Sequence, residues 1–155
     1  HKGPYAIRYS RGGVFEGVDY NANNEIPFGT WDILSEGKDY IISYGPMVAK
    51  LEKAFKDHPT IGVINARYIK PLDEKLLMQL QDNNLYVVEE HTRLGGLNTL
   101  ISNFYNEVGI KKIIGSSSLG DKFIEQGNVE VLLNENGLSV NKLKIDIIML
   151  LNLQN

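Results

Sequence analysis

Two periods alternate along this chain, and that alternation constrains its fold more than any other feature. Tyr40-Ile41-Ile42, Ile61-Gly62-Val63-Ile64 and Leu85-Tyr86-Val87-Val88 are short apolar runs of strand character. Between them lie segments that are apolar at helical spacing: Met47, Val48, Leu51 and Phe55, then Leu72, Leu76, Leu77 and Leu80. A third such segment carries Leu97, Leu100, Ile101, Phe104 and Val108. Runs of the first kind suit strands covered on both faces, and the second kind gives helices one apolar stripe each. Strands alternating with helices imply βαβ units with right-handed crossovers. The pattern predicts a three-layer α/β/α domain with a mostly parallel sheet.

Local signals refine this. TWDILSEGKDYIISYG (residues 30–45) reads as a hairpin turning at Ser35-Glu36-Gly37-Lys38, which adds one antiparallel strand. Pro71 suits the first turn of the helix that carries Leu76 and Leu77, where its missing N–H costs nothing. KKIIG (residues 111–115) supplies a further short strand. A turn or short helix is expected around Asp121–Ile124 and another near Val129–Leu133. A closing helix is expected from about Ser139, its N-cap, to Leu151. Upstream, Tyr5–Tyr9 is a β-prone run between Gly3-Pro4 and Gly12-Gly13. It is expected to be the last strand of a preceding domain (1–13), joined by a Gly- and Asn-containing linker (14–29) to the main domain (30–155).

Composition removes several function classes. The absence of cysteine rules out disulfides, thiol catalysis and zinc–thiolate sites. With 16 basic and 19 acidic residues the net charge is −3, so no basic surplus is available to neutralise nucleic-acid phosphates. No apolar run is long enough to span a bilayer. The three histidines, His1, His58 and His91, are too scattered to suggest a metal site.

In a parallel sheet, ligands bind beyond the carboxyl ends of the strands. That edge should collect Tyr44-Gly45, Asn65-Ala66-Arg67, Glu89-Glu90-His91 and Gly115-Ser116-Ser117-Ser118. Paired carboxylates beside a histidine, with an arginine opposite, are the groups of acid–base chemistry. The same residues serve as helix caps and ion pairs, and that reading is favoured. Gly95-Gly96 after a strand could cradle a phosphate at a helix N-terminus. It carries neither a dinucleotide nor a P-loop fingerprint, so a tight turn with a close backbone approach is favoured. The serine run has no histidine at a fixed spacing and reads as a loop. Arg8 and Arg11 bracket the end of the first β-prone run, and Gly12-Gly13 beside Arg11 would let a phosphate or carboxylate approach closely.

Four motifs, in order, carry a resemblance. AIRYSRG (6–12), NARYIKPLDEKLL (65–77), VVEEH with GGL (87–91 and 95–97) and LGDKFIEQG (119–127) resemble the 1-deoxy-D-xylulose-5-phosphate synthase family. AIRYSRG resembles the end of its pyrimidine-binding domain, and the other three resemble its C-terminal domain. Transketolases and the β-subunits of 2-oxoacid dehydrogenases share the fold; KPLD and FIEQG point to the synthase. The resemblance implies an enzyme using thiamine diphosphate and magnesium, which condenses pyruvate, after decarboxylation, with D-glyceraldehyde 3-phosphate. That reaction feeds isoprenoid, thiamine and pyridoxal synthesis.

By the same resemblance the cofactor and metal ligands fall in domains outside these residues, so none is assigned here. The chain then serves as scaffold and part of a homodimer interface, inactive alone. Only Arg11 carries over as a site residue, the second arginine of the family's RYPRG run, contacting the acceptor's phosphate. Ser10, Asn98, Gly120 and Gln126 depart from the family's usual residues, and Asn98 is expected to keep a positive-φ turn. The cytoplasm is the expected compartment, with a plastid-type organelle as the alternative. The competing readings are the same domain of a transketolase or oxoacid dehydrogenase, and a stand-alone binding or regulatory module.

Overall fold

A computed structural model describes residues 3–10 and 25–153. Arg11 and residues 14–24 of the linker therefore lie outside the described residues. Five strands, β1 (Asp32–Ser35), β2 (Asp39–Ser43), β3 (Ile61–Asn65), β4 (Leu85–Thr92) and β5 (Gly115–Leu119), form one sheet in the order β1-β3-β2-β4-β5. β2, β3, β4 and β5 run parallel, and β1 pairs antiparallel with β3. Helices α1 (Pro46–Phe55), α2 (Glu74–Gln79), α3 (Leu97–Glu107), α4 (Val129–Glu135) and α5 (Val140–Leu153) cover both faces.

The period-2 alternation of the strands divides the core. Ile42, Ile64, Leu85 and Val87 pack against Leu76, Leu77 and Leu80 of the α2 segment and Leu97, Ile101 and Phe104 of α3. Ile41, Val63, Tyr86 and Val88 face the other way, onto Leu51 and Phe55 of α1 and Leu143 and Ile147 of α5. Ile41, Leu77, Leu85 and Ile101 are fully buried; each such side chain contributes about 2 kcal/mol relative to exposure. This is the three-layer architecture that the alternation predicts.

Several local expectations are corrected. β1 and β2 do not form a hairpin, because β3 lies between them. The chain crosses the sheet at Gly37, where a Cβ would lie 2.2 Å from the backbone nitrogen of Gly62. All five residues of β2 are buried, as suits a central strand. The last strand is Gly115–Leu119 rather than 111–115. Ile113 points to solvent, and pairing with β4 starts at Gly115, opposite Tyr86. The serine run is therefore strand and not loop.

Pro71 follows a cis bond from Lys70 and precedes the helix, which starts at Glu74 with Asp73 as its cap. Tyr5–Tyr9 enters no strand ladder; its residues are exposed, and backbone without a neighbouring strand has no register to adopt. Residues 121 and 122 form a bend, and α4 and α5 lie where the sequence places them.

Candidate functional site

The crossovers take β2 to β3 on one side and then β4 to the other side of β2. The order reverses between β2 and β4, and the carboxyl ends of these two strands are where such sheets bind ligands. Ser43 ends β2 fully buried, its hydroxyl donating to the Val88 carbonyl of β4 at 2.7 Å and locking the two ends together. Tyr44 follows at the rim, with the Arg8 guanidinium 6.0 Å from its ring centre. Burial, and then the Glu89 carboxylate, push the Tyr44 phenol above its ordinary range, and Arg8 pulls it back. Segment 5–8 is held over this edge by a second contact as well. Tyr5 packs edge-on against Phe28 at 6.2 Å, and Phe28 against Tyr68 at 5.5 Å.

The carboxylate pair does not converge. Glu89 is 1% exposed, and its carboxylate accepts the backbone N–H groups of Leu97 at 2.7 Å and Asn98 at 3.3 Å. It is the cap of α3, supplying negative charge where the helix's unpaired donors want it. Glu90 falls on the opposite face by strand alternation, beside Leu119, Ile124 and Val129. His91 is exposed and its Nδ1 lies 3.1 Å from the Thr92 carbonyl. Arg67 lies two residues past the end of β3, a strand that β2 separates from β4 by about 10 Å in strand spacing. Its guanidinium donates to Thr30 Oγ1 and the Trp31 carbonyl, both at 3.2 Å, and lies 3.7 Å from the Asp32 carboxylate. Arg67 therefore ties the entry of β1 to the exit of β3.

Gly95 and Gly96 resolve as a turn. Gly95 takes φ 75°, and a Cβ on Gly96 would lie 2.3 Å from Glu89 Oε2. Asn98 is corrected too: it sits in α3, and no described residue other than glycine has positive φ. Its amide donates to Ser116 Oγ at 3.3 Å, while Ser117 Oγ meets the Tyr86 hydroxyl at 2.8 Å. The serines bind the sheet's own polar groups, and no base stands beside them to make a nucleophile. Sequence reasoning missed the Ser43 latch and, although it favoured a capping role for the acidic residues, did not assign the cap of α3 to Glu89. The second had a signal: an acidic residue eight positions before a helix start that follows two glycines.

The described residues do not fit thiamine diphosphate or its metal. The N-terminus of α3, the natural place for a diphosphate at this edge, is already filled by Glu89. Among the described residues no group of three His, Asp or Glu side chains is placed to hold a cation.

A parallel sheet with one antiparallel edge strand, helices on both faces and a reversal at β2/β4 defines a domain of the transketolase type. The family described as transketolase, C-terminal domain, matches residues 29–143, and the chain belongs to that family. Among curated relatives it is 36% identical over 137 residues to the 1-deoxy-D-xylulose-5-phosphate synthase of Thermus thermophilus, covering 88% of this chain and 22% of that protein. It is 37% identical over 157 residues to the synthase of the same name from Shouchella clausii, covering 96% and 25%. With the Aquifex aeolicus synthase it shares 37% over 142 residues, covering 87% and 22%. The chain thus spans about a quarter, or less, of the length of these relatives. A solved structure titled "Split gene transketolase, inactive beta4 tetramer" superposes with a TM-score of 0.74 at 24% identity, over 88% of this chain and 46% of that one. At that identity the likeness is one of fold.

Proposed function

We propose that this chain is the C-terminal part of a 1-deoxy-D-xylulose-5-phosphate synthase. In this reading the full-length protein is a transferase dependent on thiamine diphosphate and magnesium. It joins pyruvate, with loss of CO2, to D-glyceraldehyde 3-phosphate. The observation that carries the reading is that relatives of that name match this chain over 87–96% of its length at 34–37% identity. By the family resemblance, the ligands of both cofactor and metal belong to other domains of the full-length protein.

This chain's own work is then to complete the subunit, to form part of a homodimer interface, and to offer positive charge at the sheet's carboxyl edge. Arg8 and Arg67 stand at that edge, and Arg11, three residues past Arg8, contacts the acceptor's phosphate. A guanidinium suits that task because its fork matches phosphate oxygens in pairs. The cytoplasm is the compartment proposed for the full-length protein; no described helix is long and apolar enough to cross a membrane.

The test is an assay of the full-length protein with both substrates and both cofactors. Formation of the five-carbon ketose phosphate with release of CO2 is the expected result, and its absence in a folded, cofactor-loaded protein overturns the reading. Arg11→Ala should raise KM for glyceraldehyde 3-phosphate at least tenfold more than KM for pyruvate. Equal effects on both would mean that Arg11 is structural.

A further inference from the structure

Two of the four sequence motifs meet at a place that the transferase reading leaves idle. Glu90 of VVEEH, with Leu119 and Ile124 of LGDKFIEQG, lines one groove together with Val129 and Leu132 of α4 and Asn136 at its end. The walls are apolar apart from Glu90 and Asn136. Val129 is 61% exposed, and Phe123, the chain neighbour of Ile124, is 93% exposed. Glu90 is the unusual member. It is half-buried, and among the described residues no basic group lies within ion-pair distance of it. Lys50 of α1, the basic residue that reaches α4, is held instead by Glu130 at 2.5 Å. The surrounding chain deepens the deficit of positive charge. Residues 119–136 carry Asp121, Glu125, Glu130 and Glu135 against Lys122 alone.

Charge and size together select the occupant. Anything that fills the groove covers Glu90, and an uncharged occupant would bury a carboxylate without a partner, a cost that apolar contact does not return. The occupant therefore brings a cation. At about 150 Å³ the groove is smaller than the roughly 300–1,000 Å³ of small-molecule sites, so it takes one side chain rather than a whole metabolite. Lysine meets both demands. Its four methylenes suit the wall of Leu119, Ile124, Val129 and Leu132, and its compact ammonium suits a single carboxylate. Asn136 gives its NH2 group to the Leu132 carbonyl at 2.7 Å, so the group it has left to offer is an acceptor, its amide oxygen. The exposed surfaces of Val129 and Phe123 call for apolar residues on either side of that lysine. We propose that this groove docks a partner polypeptide by a lysine flanked by apolar residues, the ammonium pairing with Glu90. Nothing in this depends on the reaction proposed above, and the two stand or fall separately.

The experiment is a fluorescence-anisotropy titration of the full-length protein against three dye-labelled peptides, Gly-Ser-Leu-X-Leu-Ser-Gly. X is lysine, norleucine, which keeps the apolar stem without the charge, or glutamate, which reverses the charge. Saturable binding of the lysine peptide is expected, with the norleucine peptide at least tenfold weaker and the glutamate peptide weaker still. Glu90→Gln keeps the shape of the side chain and should weaken the lysine peptide at least tenfold while leaving the norleucine peptide within about twofold. Norleucine binding as tightly as lysine overturns the charge assignment, and no saturable binding of the lysine peptide overturns the site. Should Glu90→Gln fail to fold, Val129→Lys, at an exposed position on the groove wall, supplies an ammonium of its own and should abolish lysine-peptide binding. Undiminished binding in the folded variant overturns the proposal. Sedimentation velocity covers the remaining occupant. Self-association of the native protein that Glu90→Gln abolishes would put a second copy of this chain in the groove and overturn the assignment to a partner.

Discussion

The Glu89 carboxylate accepts the N–H of Leu97 at 2.7 Å and occupies the space that a side chain at Gly96 would need. One acidic residue near the end of β4 thus closes the N-terminus of α3 and dictates a glycine beside it. Glu89→Ala leaves the buried amide of Leu97 and the half-buried amide of Asn98 without that partner and should cost about 2–4 kcal/mol, in keeping with the loss of a charged acceptor. Gly96→Ala in the native background drives a methyl group into the carboxylate and should cost about 1–3 kcal/mol. The two effects share one cause, so Gly96→Ala should cost at least 1 kcal/mol less once Glu89 is Ala. A double-mutant cycle by urea unfolding measures that coupling; strict additivity would show that the two positions do not meet.

Gly37 carries the second prediction. Its Cβ position lies 2.2 Å from Gly62 N and 2.7 Å from the Ile61 carbonyl carbon, both backbone atoms that cannot swing aside. Gly37→Ala should therefore cost about 2 kcal/mol or more and loosen the β1–β3 pairing first. Hydrogen exchange of the Ile33 and Ser35 amides would report it, and unchanged stability would mean that the crossing of β1 over the sheet is misplaced.

That same crossing marks where the sequence stopped being legible. Ser35-Glu36-Gly37-Lys38 between two strand-like runs has the chemistry of a hairpin turn, and local chemistry cannot say that a third strand, twenty residues later, takes the place between them. The apolar run of β2 did hold the answer in part, since its five buried residues suit a strand paired on both sides. Helices were easier to read, because Met47, Leu51 and Phe55 in α1, and Leu97, Ile101 and Phe104 in α3, recur at helical spacing whatever their neighbours do. β5 was misplaced because Ile113 and Ile114 are apolar and its own Ser116–Ser118 are not. The serines fit a strand because Tyr86 and Asn98 offer them partners from other elements. At the carboxyl edge, residue types were legible but their directions were not. Glu89 and Glu90 look like a pair in sequence, yet strand alternation turns them to opposite faces.

The Tyr105 hydroxyl donates to the Leu77 carbonyl at 2.6 Å, fastening α3 to α2, and burial pushes its ionisation up to about 12. A phenol that ionises near 10 when unfolded but near 12 when folded loses its proton first in the unfolded chain. Stability should therefore fall as pH rises through that window. Tyr40, Tyr44 and Tyr86 are shifted in the same direction, whereas burial lowers Lys112 and works the opposite way. Tyr105→Phe should cost about 1–2 kcal/mol at neutral pH. It should also lose stability less steeply than the native chain between pH 10 and 12. Urea midpoints across that range decide it, and parallel profiles would place the titration on another group.

Asp73 makes the last test, since its carboxylate serves two elements at once. Oδ1 accepts the N–H of Leu76 at 3.0 Å and caps α2, and Oδ2 accepts the N–H of Trp31 at 2.9 Å. Trp31 in turn donates its ring N–H to the Tyr68 carbonyl at 2.7 Å, so the indole is held only while the start of β1 is docked. Asp73→Asn presents an NH2 group to one of the two backbone donors and can satisfy the other alone. It should cost about 1–3 kcal/mol, comparable with Asp73→Ala and not milder than it. Trp31 is the chain's single tryptophan, so its fluorescence reads the docking directly. Both variants should shift the emission to longer wavelength at urea concentrations below the main unfolding transition. An Asn variant as stable as the native chain would show that the second carboxylate oxygen holds nothing.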